Sequence, residues 1–259
     1  MRGPDANINI LDDGPKDAPA VLLAHPLGTN MHIWDAVCEQ MPRSLRVIRY
    51  DARGHATSEV TPAPYRMGQL VTDVEQLLDQ LKIKDCVFIG AGFGGLIAQG
   101  LAVKRLDQVR AMILCGTAAK LGPSAVWDKR IEQVKSGGTD AIVKMLTERN
   151  FTRATRDSEM ARHWSNVLRG MRSEGYIGSC SAISGTDFYT PTSGLRLPTL
   201  GLCGIDDRIT PPDLMRETLE LIPGARFELI RRSGHYPMLE APDAFAMHVC
   251  DFLSEIGHI

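Results

Sequence analysis

The stretch Cys86-Val87-Phe88-Ile89-Gly90-Ala91-Gly92-Phe93-Gly94-Gly95-Leu96-Ile97-Ala98-Gln99 decides how the rest of the chain is read. Its first half is a short apolar run of the kind that forms a buried strand, and its second half has helical character. A glycine-dense turn joins them. Two motifs compete for this turn. Gly90, Gly92 and Gly95 satisfy G-x-G-x-x-G, in which small residues let a pyrophosphate approach a helix amino terminus. That reading needs an acidic residue about 20 positions on, at the end of the next strand, to hold a ribose. The next apolar run ends in Gly116, Thr117 and Ala118, so the acid is absent, and at least two strands precede this one. The second motif is the nucleophile elbow, G-x-S-x-G, which exposes a serine on a strained strand-to-helix turn. Gly90, Gly94 and Gly95 fit its small positions, and Gly92 stands where the serine belongs.

Working outward, short apolar runs at 21–25, 47–50, 86–90, 111–115, 198–203 and 225–230 alternate with helical patterns at 31–41, 67–81, 93–104, 212–221 and 243–256. Runs that are apolar throughout predict strands covered on both faces, and helices between them predict parallel crossover units. The expected class is α/β, a mostly parallel sheet flanked by helices. The alternation fails between about Thr117 and Tyr189, where helical patterns occur without a convincing strand. This predicts a core formed by 1–116 and 191–259 with a helical cap over 117–190. Trp127, Trp164 and Tyr176 in the cap are candidate ligand contacts over the strand ends, with packing inside a structural flange as the alternative.

If the turn at Gly92 is an elbow, an acid and then a histidine should follow, each just after a later strand. Gly204-Ile205-Asp206-Asp207-Arg208 and Arg231-Arg232-Ser233-Gly234-His235-Tyr236 supply both. Asp207, with Asp206 as its rival, would fix the tautomer of His235, and the imidazole would relay protons. The oxyanion hole needs two backbone N–H groups. Phe93, directly after the nucleophile position, is one candidate. In His25-Pro26-Leu27-Gly28, Pro26 has no N–H, so Leu27 is the other. His25 and His55 read as structural loop residues.

The 259 residues carry 29 basic and 31 acidic side chains, a formal charge of −2, with 44% apolar residues. The balance, without blocks of either sign, argues against nucleic acid or an anionic membrane as partner. The amino terminus lacks an apolar signal core, and no run approaches the roughly 20 apolar residues that span a bilayer, so a soluble cytoplasmic protein is expected. Six scattered cysteines without C-x-x-C spacing read as buried thiols, and no clustered metal ligands are seen.

These residues make the chain resemble the α/β-hydrolase superfamily along nearly its whole length, and within it the 3-oxoadipate enol-lactonases. The likeness is carried by Pro26-Leu27-Gly28-Thr29 with Trp34-Asp35, by Arg49-Tyr50-Asp51-Ala52-Arg53-Gly54-His55, and by Ala63-Pro64-Tyr65. It continues into the insertion through Thr117-Ala118-Ala119-Lys120-Leu121-Gly122, Trp127 and Glu174-Gly175-Tyr176. The resemblance implies triad positions at Gly92, Asp207 and His235, a four-helix lid, no cofactor, and a small ester or lactone as substrate. The family substrate carries a carboxylate, for which Arg130 and Arg162 are candidate partners. His25-Pro26 stands where a Ser-Asn-Ser type loop is usual, and Ala56 replaces the glycine expected after His55. Gly92 then has three readings: a serine deliberately replaced by glycine in a hydrolase, a serine-free enzyme using the His235 and Asp207 pair as general base, or a protein that binds a small ligand without chemistry. The first is favoured because every surrounding feature of a hydrolase remains.

Overall fold

The structure, a computed structural model, describes residues 6–259. Strands β1 (Ile10–Asp13), β2 (Ala20–Ala24), β3 (Arg46–Tyr50), β4 (Cys86–Ala91), β5 (Val109–Cys115), β6 (Thr199–Gly204) and β7 (Arg226–Ile230) form one sheet. Their order is β1-β3-β2-β4-β5-β6-β7; β1 is antiparallel to β3 and every other pairing is parallel. Successive side chains of a strand point to opposite faces, so Leu22, Ala24, Ile48 and Phe88 enter one apolar layer and Val21, Leu23, Val47 and Val87 the other.

Helices α2 (Met67–Gln80) and α3 (Phe93–Lys104) cover the first face, while α1 (Asp35–Cys38) and α11 (Pro242–Glu255) cover the second. The helical pattern at 31–41 yields less helix than expected. A 3-10 turn at Met31–Trp34 leads into the single turn of α1, and the chain leaves the helix before Pro42, which disfavours helical geometry at Met41. Strand β1 has no counterpart in the apolar runs because it lies at an edge and is pinned by charge: Asp12 pairs with Arg46, and Asp13 with Arg49. Strand β7 corrects the expectation of full coverage. As the opposite edge strand it exposes Arg226, Glu228 and Leu229.

Between β5 and β6 the described chain holds α4 (Ser124–Gly137), α5 (Asp140–Asn150), α6 (Glu159–Arg169), α7 (Ser173–Ser184) and α8 (Tyr189–Ser193), with no strand. Helices α9 (Pro212–Glu220) and α10 (Pro237–Glu240) follow β6 and β7. Both begin with proline in the first turn, where a missing N–H costs nothing.

Candidate active site

The elbow turn is set by close approach of backbone at Gly90 and Gly94 and of a side chain at Gly95. A β-carbon on Gly90 would lie 2.5 Å from the Gly94 carbonyl oxygen, one on Gly94 would lie 2.3 Å from the Ala24 carbonyl oxygen, and one on Gly95 would lie 2.5 Å from Thr117 Cγ2. Only glycine lets α3 pack this closely against the ends of β2 and β5. Gly92 is different. A β-carbon there would meet nothing nearer than His235 Nε2 and Pro26 Cβ, both at 3.4 Å, which is ordinary contact. Its backbone has φ +50° and ψ −112°, strained for any residue with a side chain, and is held by Gly92 N–H to Cys115 O at 2.9 Å and by the Thr117 hydroxyl to Gly92 O at 2.7 Å. The turn has room for a side chain at position 92 and aims it at an imidazole.

That imidazole is fixed from behind. His235 Nδ1 lies 2.9 Å from Asp207 Oδ2, and a carboxylate only accepts, so Nδ1 carries the proton and Nε2 is left as the acceptor facing position 92. The other carboxylate oxygen of Asp207 accepts from Ile209 N–H at 2.8 Å and Thr210 N–H at 2.9 Å. Asp206 instead points its backbone N–H at Ser233 O and keeps its side chain outside this network. Gly116, which the sequence reading missed as a site residue, gives the pair its seat. A β-carbon there would come within 3.0 Å of Asp207 Oδ2 and 3.1 Å of His235 Nδ1.

Leu27 and Phe93 both line the cavity in front of Gly92, and among the described residues neither backbone N–H donates to a protein acceptor. The loop carrying Leu27 is held by two buried histidines. Gly28 N–H donates to His55 Nε2 at 3.2 Å, and Ala52 N–H donates to His25 Nε2 at 3.0 Å. Each ring must be neutral to accept at Nε2, and burial lowers the pKa of both, that of His55 well below the ordinary value. His25 stacks edge-on against His55, which lies over Phe93 with ring centroids 5.7 Å apart.

The cavity has a volume of about 280 Å³. Gly92, Leu27, Phe93 and His235 form its floor, while Trp127, Arg130, Leu146, Asn150 and Tyr176 reach it from α4, α5 and α7. Arg130 stands over the Trp127 ring at 5.3 Å and has no acidic partner among the described residues. Arg130 approaches the buried Tyr176 hydroxyl, and its charge and N–H groups oppose the rise in pKa that burial causes, but among the described residues no well-aligned hydrogen bond reaches this hydroxyl or that of Thr210. Two expected residues lie elsewhere. Trp164 does not line this cavity, because Ala161, Trp164 and Leu168 form the buried stripe by which α6 packs inward. Arg162 lies off that stripe and donates to Asp157 O at 2.6 Å. Arg149, Asn150, Thr210 and Tyr236 also line the cavity and were not singled out in the sequence. No cysteine lines it, and burial pushes the Cys86 and Cys180 thiols up to about 12, so no thiolate takes the place of the absent hydroxyl.

A strand-turn-helix elbow with an acid and a histidine in the turns after two later strands, β6 and β7, defines a fold class, and comparison with known proteins agrees. A family model described as alpha/beta hydrolase fold matches residues 19–242, and the chain belongs to that family. Within it, the chain is 32% identical over 243 residues to 3-oxoadipate enol-lactonase 2 of Acinetobacter baylyi, covering 93% of this chain and 91% of that protein. The crystal structure of the enol-lactonase from Burkholderia xenovorans superposes with a TM-score of 0.92 at 33% identity, covering 95% of this chain and 96% of that one. A hydrolase from Pseudomonas aeruginosa gives the same TM-score at 32% identity, with 98% and 97% covered. Among the described residues no helix is long and apolar enough to cross a membrane.

Proposed function

We propose that this cavity is the site of a carboxylic-ester or lactone hydrolase in which position 92 is the nucleophile position and glycine has replaced the nucleophile. The observation that carries this reading is the contrast within the elbow. Gly90 and Gly94 are forced by backbone contacts and Gly95 by the Thr117 side chain, whereas Gly92 leaves space for a side chain 3.4 Å from the basic nitrogen of a carboxylate-anchored imidazole. With a serine restored there, His235 Nε2 would take the hydroxyl proton as the oxygen attacks the carbonyl carbon, Asp207 would stabilise the imidazolium, and the Leu27 and Phe93 N–H groups would hold the oxyanion. His235 would then return the proton to the leaving alcohol oxygen. Water would release the acyl group by the same steps in reverse order.

The segment 117–190 acts as the lid of this site. The enol-lactonases named above favour a lactone, and Arg130, which has no acidic partner among the described residues and stands beside the Tyr176 hydroxyl, supports a substrate that carries a carboxylate away from the reacting carbonyl. With glycine at position 92 the chain is a weak catalyst at best. Removing a triad nucleophile costs about 10⁶ in turnover and leaves roughly 10³ to 10⁴ over water. The test is Gly92→Ser assayed on small esters and lactones: hydrolysis rises at least about a thousandfold if the reading holds. An unchanged rate with correct folding contradicts it. If the Gly92 protein itself turns over substrate and His235→Ala abolishes this, the serine-free base is the better description.

A further inference from the structure

The carboxyl end of α5 and the loop that carries His235 are joined by contacts the hydrolytic scheme does not use. Asn150 O, at the end of α5, accepts from His235 N–H at 2.8 Å, and Asn150 Nδ2 donates to the Tyr236 hydroxyl at 2.8 Å. Glu240, at the end of α10, reaches back across the same junction. Its Oε2 accepts from Gly234 N–H at 2.6 Å, and its Oε1 accepts from Thr152 N–H at 2.9 Å and from the Thr155 hydroxyl. One carboxylate thus bridges the residue before His235 and the turn that follows α5. The junction is tight: a β-carbon on Gly234 would sit 2.8 Å from Asn150 O.

The donor set explains why a carboxylate stands here. Three donors converge on one side chain, and a carboxylate offers acceptors only, whereas an amide would turn its NH₂ toward one of those donors. Hydrogen bonds to a charged acceptor are also roughly twice as strong as neutral ones. The contact does not end at the turn, because the same loop is stitched to the turn that carries the acid: the N–H of Asp206, the neighbour of Asp207, donates to Ser233 O at 3.0 Å.

We propose that Glu240 is a positioning residue for His235, locking the imidazole loop to the α5–α6 turn so that lid and imidazole move as one. Its effect on turnover rests on the hydrolytic reading above, but its effect on the imidazole does not. Displacing the start of α6 would pull Glu240 away from Gly234 and slide His235 relative to position 92, so a ligand that seats the lid also seats the base.

The experiment has two arms. In the chain as it stands, proton NMR observes the low-field resonance of His235 Nδ1–H against Asp207. In the Gly92→Ser chain, kcat and KM are measured on a small ester. Glu240→Gln is expected to broaden or abolish the resonance and to lower kcat about 10- to 100-fold with KM changed less than about twofold, the signature of a misplaced catalytic group. Thr155→Val, which removes one contact to Glu240 and leaves Gly234 held, keeps both readouts near the parent. If Glu240→Gln does not fold, Glu240→Asp takes its place. It keeps the charge but is too short to reach both sides, and a partial loss of both readouts is expected. A retained resonance with unchanged kcat, alongside a lower melting temperature only, overturns the proposal and leaves Glu240 a structural residue. An inactive Gly92→Ser chain counts against the hydrolytic reading alone, since the resonance still decides the role of Glu240.

Discussion

The loops at the strand ends and the helical lid face each other across one cavity, and they treat their polar groups differently. On the sheet side the acid, the base and the loop histidines are held by hydrogen bonds, while the Leu27 and Phe93 N–H groups and the Thr210 hydroxyl face the cavity without a protein partner among the described residues. Asp207 accepts three hydrogen bonds, and His25 and His55 each accept one from the backbone they brace. On the lid side Arg130 has no acidic partner among the described residues, and the Tyr176 hydroxyl has only the approach of Arg130 and no well-aligned hydrogen bond. A satisfied network holds geometry, while an unsatisfied buried group is costly until a ligand meets it. On the proposed reading, reaction geometry belongs to the sheet side and ligand selection to the lid.

If that division is right, the two sides fail differently when mutated. The largest effect belongs to the sheet side. In the Gly92→Ser chain, Asp207→Asn should lower kcat by about 10⁴, since the amide leaves His235 in the wrong tautomer, with little change in KM. Steady-state kinetics on a small ester decides this, and a comparable rise in KM would blur the division. On the lid, Arg130→Met should raise KM about 10- to 100-fold for an ester carrying a carboxylate and leave a neutral ester of similar size unaffected. Equal effects on both esters would mean that Arg130 acts through packing on Trp127 instead.

Two smaller effects probe how the sheet-side loops are held. The folded-state pKa values of His25 and His55 lie below their unfolded value, so as pH falls below about 6.5 the unfolded chain binds protons first. Their contribution is complete above that pH and is lost as pH falls toward the folded values, at about 1.4 kcal/mol per pH unit for each ring. Thermal melts at pH 7 and pH 5 should therefore show a lower Tm at pH 5, and His55→Gln should narrow the gap. The smallest effect concerns Ala56, which sits at φ +43° where a glycine was expected. Relieving that strain, less the added chain entropy of glycine, should make Ala56→Gly more stable by about 0.5 to 1 kcal/mol, or roughly 2 °C in Tm.

Much of the sheet side was legible in the chain because its signals are local. Apolar runs mark the strands β2 to β7, and the turns that follow β6 and β7 carry site positions, which is how Asp207 and His235 could be found. Strand β1 was not legible because an edge strand pinned by Asp12 and Asp13 carries charge in place of an apolar run. The contacts between the lid and the imidazole loop were harder for another reason. Asn150, Tyr236 and Glu240 meet only through the tertiary fold, across separations of 86 and 88 positions for the pairs Asn150–Tyr236 and Thr152–Glu240. For Trp164 the sequence leaves ligand contact and inward packing both open, and its spacing from Ala161 and Leu168 marks the inward-packing stripe that the structure has. Gly116 had no signal at all, since its need for smallness comes from side chains more than 90 residues away in sequence.

The central claim is that position 92 is where a nucleophile meets an activated imidazole, and covalent labelling tests it most directly. A fluorophosphonate is added to the Gly92 chain, to Gly92→Ser and to Gly92→Ser with His235→Ala, and intact mass is followed with time. The account predicts one adduct per chain in Gly92→Ser, mapping to position 92, with none in the Gly92 chain and strongly slowed labelling without His235. A folded Gly92→Ser chain that stays unlabelled, or labels equally fast without His235, would contradict it.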